Sequence, residues 1–208
     1  MYKRQALVRW AHPTRGLLLP ADFIEVAEDS GLVRELGDWV LDAALAQAVR
    51  WCEDPRGPGP LQMAVNLSAR QLSDPHLVHR VTEALTRHGL PPRLLVLEIT
   101  ETALMLDPDA ALTTLTALKA LGVGLAVDDF GTGFSSLVYL KRFPVDELKV
   151  DRGFVAGLGT DRSDWAIVAS CIQLAHGVGA RVVAEGVETA TQRRALAALG
   201  CDLSLIHI

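Results

Sequence analysis

The sequence predicts an α/β fold built on a parallel, barrel-type sheet, and three observations predict it. Short apolar runs recur along the chain. Four of them end on an acid: Leu94-Leu95-Val96-Leu97-Glu98, Val123-Gly124-Leu125-Ala126-Val127-Asp128-Asp129, Glu147-Leu148-Lys149-Val150-Asp151 and Arg181-Val182-Val183-Ala184-Glu185. A fifth, Met63-Ala64-Val65, ends on Asn66. Between the runs lie stretches with helical spacing, several closed by a glycine such as Gly89 or Gly122. Apolar runs bounded by turn residues read as strands buried on both faces. Their alternation with helices is the pattern of repeated βα units. In a parallel barrel the C-terminal strand ends share one face, which is where such folds keep their sites. Oxygen-rich side chains gathered there repel one another unless cations lie between them, so the pattern points to a divalent-metal site.

Taken in order, Ala6 to Trp10 is a candidate strand. Pro20 to about Glu53 reads as helical, with Pro20 and Asp22 suited to a helix start and Gly31 as a break. Leu36, Trp39, Val40, Ala43, Ala44, Ala48 and Trp51 then follow helical spacing. Asp54 to Pro60 is a loop by composition. Strand Met63 to Asn66 precedes a helix from His76 to His88. Strand Leu94 to Glu98 precedes a helix from about Asp107 to Leu121. Strand Val123 to Asp128 leads into the loop Phe130 to Gly133 and a short helix near Ser136 to Arg142. Strand Leu148 to Asp151 precedes a helix from about Asp164 to Gly177, and strand Val182 to Glu185 a last helix from about Thr189 to Leu199.

Half of the 208 residues are hydrophobic, enough for one domain with a sizeable core. The net charge of -5 argues against a nucleic-acid polymer as partner, which would need many phosphate contacts. A small phosphorylated ligand held by metal ions stays compatible with it. Cys52, Cys171 and Cys201 have no metal-binding or redox spacing and read as reduced residues of a cytoplasmic protein. No signal peptide or membrane-spanning apolar run is visible, although a parent chain could carry a membrane anchor elsewhere. The two ends, Met1 to Gln5 and Leu203 to Ile208, match translations of a transposase sequencing adapter in its two orientations. They are expected to be adapter-derived, which leaves 6–202 as natural domain.

The segments Ala6-Leu7-Val8-Arg9-Trp10, Val65-Asn66-Leu67-Ser68, Glu98-Ile99-Thr100-Glu101, Asp128-Asp129-Phe130-Gly131-Thr132-Gly133, Leu148-Lys149-Val150-Asp151-Arg152 and Ala184-Glu185-Gly186-Val187-Glu188 resemble, in order and spacing, the EAL-domain family. The resemblance implies a TIM-like (β/α) barrel with one strand reversed. It also implies metal-dependent hydrolysis of cyclic di-GMP to linear pGpG in bacterial signalling. Asn66, Glu98, Asp128 and Asp129 would then hold Mg²⁺ or Mn²⁺ in a two-metal site. Glu185 would be the general base, with Lys149 and Asp151 assisting at the water. Lys149 and Asp151 lie at i and i+2 on one face of a strand, so both can reach one site. Arg9 would contact substrate phosphate. Glu101 would steady the loop after Asp129, through which a homodimer could form. A sensory or GGDEF-type domain would be a partner on the parent chain.

One position departs from the family pattern: Gln5 stands where the family's name-giving glutamate precedes Ala-Leu. An amide keeps an oxygen donor but loses the charge, so metal affinity should fall. The chain is also expected to lack the first barrel strand and the C-terminal strand region, leaving an incomplete barrel with an exposed sheet edge. Poor stability and weak or absent hydrolysis follow as expectations for these 208 residues. The alternative is a degenerate receptor for cyclic di-GMP, or a protein-interaction module. Glu188 could support Glu185 from behind or cap the following helix. The histidines are read as structural or surface groups, and Trp10, Trp39, Trp51 and Trp165 as packing residues.

Overall fold

The computed structural model describes residues 3–54, 61–132 and 137–204. They fall into two compact units, Met1–Glu98 with Thr113–Gly124, and Ile99–Leu112 with Leu125–Ile208. The strands run β1 Lys3–Gln5, β2 Trp10–His12, β3 Gly16–Leu18, β4 Gln62–Leu67, β5 Leu95–Thr100, β6 Gly124–Phe130, β7 Glu147–Val150, β8 Arg181–Ala184 and β9 Leu203–Ser204. The helices are α1 Ile24–Ser30, α2 Val33–Glu53, α3 Ala69–Leu72, α4 Leu77–His88, α5 Glu101–Leu106, α6 Pro108–Ala120, α7 Leu137–Leu140, α8 Arg152–Ala156, α9 Arg162–Gly177 and α10 Ala190–Leu199. Among the described residues no helix is long and apolar enough to cross a membrane.

In the first unit the strand order is β1-β4-β5, with β1 parallel to β4. Helix α2 packs on β4 and α4, and its Leu45 and Ala48 are fully buried. Charged ties hold the two helices together. Arg80 of α4 reaches Asp38 at 2.8 Å and Asp74 at 3.0 Å, and Arg34 of α2 lies 3.4 Å from Asp74. Asp42 of α2 takes both Arg87 and His88 at 2.8 Å. In the second unit β6, β7, β8 and β9 form a parallel run in sequence order. Helix α9 covers β7 and β8, burying Val168, Ile172 and Ala175.

The expected βα alternation is present, and the strands read as two-sided are so. Leu95 to Ile99 of β5 and all of β7 are buried. The ends differ from expectation. Lys3–Gln5, expected not to supply a barrel strand, pairs residue for residue with Gln62–Ala64, and Ala6 N–H donates to Ala64 O at 2.8 Å. Its backbone groups take the ladder that the edge of β4 offers. Leu203–Ser204 likewise extends the sheet beside Val183–Ala184. The candidate strand Ala6 to Trp10 does not form. The chain turns instead into the antiparallel hairpin β2–β3, whose turn is held by His12 Nδ1 accepting from the backbone N–H of Thr14 and Arg15. The tryptophan expectation also fails in part: Trp10, Trp39 and Trp165 are exposed. Trp10 meets His12 and Phe23 edge-on. Residues 55–60 of the expected loop, together with Gly133 and Ser136, lie outside the described residues.

Candidate active site

The first unit gathers Lys3, Gln5, Asn66 and Glu98. Lys3 and Gln5 alternate on β1 and therefore share a face. Both reach Glu98, whose side chain is fully buried: Lys3 Nζ lies 2.8 Å from Oε1, and Gln5 Nε2 donates to Oε2 at 2.7 Å. The same Gln5 amide nitrogen is 3.4 Å from Asn66 Oδ1. Asn66 is exposed at the end of β4.

In the second unit Asp128, Lys149 and Glu185 come together from the ends of β6, β7 and the residue after β8. Lys149 Nζ, on a side chain with no exposure, lies 2.8 Å from Asp128 Oδ2 and 2.7 Å from Glu185 Oε1. A buried ammonium is tolerable only with such compensation. Between Val127 and Phe130 the register slips, so that three steps along β6 match two along β7. This bulge falls on the acidic pair, and Asp129 adopts a left-handed φ of 53°. That conformation is uncommon outside glycine but accessible to Asp, and bulges re-aim side chains next to sites. Burial raises the Asp129 carboxyl above its ordinary value, Asp128 and Asp151 push it further, and Lys149 and Arg152 oppose them.

Around this core, Asp151 caps α8, its Oδ1 accepting from Gly153 N–H at 2.8 Å. Buried Glu101 accepts the Gly131 N–H at 3.0 Å on Oε2, tying the loop after Asp129 to the start of α5. Arg9 is exposed in the first unit, and its Nη1 donates to Val8 O at 2.8 Å. Glu188 is exposed, and the cap of α10 is Thr189, which completes a capping box with Gln192. Lys3 was missed as a site residue, and its i, i+2 spacing with Gln5 was the available signal.

The acceptors fit a hard divalent cation, since carboxylate and amide oxygens are its preferred donors. The buried Glu98 carboxylate already meets an ammonium and an amide N–H, which shows its need for positive partners. Gln5 fits less well, because it turns its nitrogen rather than its oxygen toward Glu98 and Asn66. Among the described residues no group of three or more His, Cys, Asp or Glu side chains converges as ligands.

The model of the EAL domain matches residues 1–204. The chain belongs to the EAL-domain family. Its parallel α/β fold is the TIM-like fold of EAL domains, as a superposition shows. The structure titled PaMucR phosphodiesterase, c-di-GMP complex, matches with a TM-score of 0.92 at 47% identity, covering 98% of this chain and 82% of that one. The FimX EAL domain of Pseudomonas aeruginosa, bound to c-di-GMP, gives a TM-score of 0.86 at 25% identity, covering 96% and 78%. Among curated EAL relatives, the bifunctional diguanylate cyclase/cyclic di-GMP phosphodiesterase MucR of P. aeruginosa is 48% identical over 198 residues, spanning 95% of this chain and 29% of that protein. The cyclic di-GMP phosphodiesterase NbdA of the same organism is 44% identical over 208 residues, spanning 98% and 26%. The chain thus spans less than a third of the length of either relative.

Proposed function

We propose that this EAL domain binds cyclic di-GMP and that, with glutamate at position 5, it hydrolyses one phosphodiester to give linear pGpG. The observation that carries the proposal is Lys149, a wholly buried ammonium held between Asp128 and Glu185. Such an arrangement places a fixed positive charge and a carboxylate base side by side, where an attacked phosphate needs both. Asn66, Glu98, Asp128 and Asp129 carry the oxygens proposed, from the family motifs, to hold Mg²⁺ or Mn²⁺. When bound, such ions polarise a phosphoryl oxygen and acidify water. Glu185 takes the proton of the attacking water, and Lys149 offsets the charge that develops. The water oxygen bonds to phosphorus as the P–O3′ bond breaks, the 3′-oxygen leaves as a hydroxyl by taking a proton from solvent water, and Glu185 returns its proton to solvent. The product keeps a 5′-phosphate, as pGpG requires.

A second reading is favoured by two contacts to Glu98. With Gln5 and Lys3 both donating to Glu98, the chain as it stands is a binder with weak hydrolysis. Both readings are tested together by measuring cyclic di-GMP binding and Mg²⁺- or Mn²⁺-dependent pGpG release for the chain and for Gln5→Glu. The expected result is binding by both and hydrolysis at least about tenfold faster in Gln5→Glu, the scale on which metal-site support is felt. Binding by neither protein overturns the proposal. Binding without any hydrolysis by Gln5→Glu leaves only the receptor reading.

A further inference from the structure

We infer that Arg152 is a phosphate-contacting residue of this site, gripping a phosphodiester of the bound ligand; the inference rests on the cyclic di-GMP reading above. Arg152 directly follows Asp151 at the first position of α8. Through its close contact with Gly186 it also lies beside the residue that follows Glu185. Yet the exposed guanidinium makes no hydrogen bond or ion pair with any described residue. An arginine beside several carboxylates that pairs with none of them keeps its donor fork available. That fork matches the geometry of phosphate oxygens.

Two features argue against an ordinary solvated surface charge. A cation in the first turn of a helix faces the positive end of the helix dipole, so helix stability does not account for it. The backbone around Arg152 is also closely fitted. Gly186, the residue after Glu185, has φ 66°, and a Cβ built there would lie 2.8 Å from Arg152 Cβ and 3.6 Å from its Cα. Real Cβ atoms do not approach that closely, so the absence of a side chain at Gly186 is what lets the Arg152 stem lie against the end of β8. In the second unit Lys149 is thereby committed to Asp128 and Glu185, while Arg152 is uncommitted. A dianionic ligand with two phosphodiesters supplies the missing partner.

The test uses the Gln5→Glu chain as parent and compares it with Arg152→Ala and Arg152→Lys made in that background. Steady-state pGpG release and the melting temperature are both read. The expected result is a KM for cyclic di-GMP raised about tenfold or more in Arg152→Ala, the scale of one lost charge-assisted contact. kcat should stay within about threefold, the melting temperature should be unchanged, and Arg152→Lys should fall between. An unchanged KM in Arg152→Ala overturns the inference while leaving the phosphodiesterase reading intact. A fallen melting temperature that accounts for the lost activity makes Arg152 structural and also overturns it. Failure of the Gln5→Glu parent itself to bind or hydrolyse cyclic di-GMP overturns both.

Discussion

Lys149 shows most clearly how a residue earns its place. A lysine with no exposure costs desolvation, and the two carboxylates within 2.8 Å offset it. Lys149→Met keeps the stem and removes the charge. The expected outcome in a Gln5→Glu background is a loss of about 10²–10³ in kcat, the usual worth of a preorganised charge at a reacting group. The stability loss should stay below the roughly 3–5 kcal/mol of a fully buried pair, because Asp128 and Glu185 remain 15% and 24% exposed and water can reach them. Activity assays and thermal melts on the same preparation check both. Lys149 was legible in the sequence, since a charge between two apolar strand residues must point at a partner. Glu98 was legible as a strand-end acid, but its partners were not. Nothing in composition says that Lys3 rather than solvent meets it, because that contact exists only once β1 pairs with β4.

Among the elements, the tie between α2 and α4 carries its own pH dependence. Asp74 accepts from His76 N–H at 2.9 Å and from Arg80 Nη2 at 3.0 Å, and these contacts hold its carboxyl below the ordinary range despite burial. A lowered folded-state value stabilises the fold above the unfolded value of about 4, and the contribution disappears as pH falls through the folded value. Asp74→Asn should therefore cost about 2 kcal/mol near neutral pH. The gap from the unsubstituted chain should narrow below about pH 4. Urea melts across pH 3–7 measure it, and a gap that widens toward acid contradicts the sign. The strands were readable because parallel strands buried on both faces leave unbroken apolar runs. Helix ends such as Gly31 and Gly89 were readable because only glycine takes their left-handed φ cheaply. The β2–β3 hairpin was not, since its three-residue strands carry no alternation and its turn depends on a histidine side chain.

For the whole molecule, the parallel α/β class was legible because it is written in repetition, strand after strand. What joins the polar strand ends into chemistry was legible only through the family motifs. Ligand linkage gives a global readout that does not depend on turnover. At a Mg²⁺ or Mn²⁺ concentration a hundred times its Kd, a folded-state site adds about 2.7 kcal/mol. In a domain of this size that is roughly 5–10 °C in melting temperature. Gln5→Glu should show this shift and lose it with a chelator, and the Gln5 chain should show a smaller one. Equal shifts in both would mean that position 5 does not contribute to metal binding. The slipped register at Asp128 and Asp129 bears on how relatives are compared. Because side chains alternate with a period of two, removing one residue there would restore an even ladder and keep every neighbouring apolar contact. Such a relative would align with a single gap and fold the same way, yet would have lost the second acid. In this chain the length of β6 therefore bears on the site as directly as the identity of the residues in it.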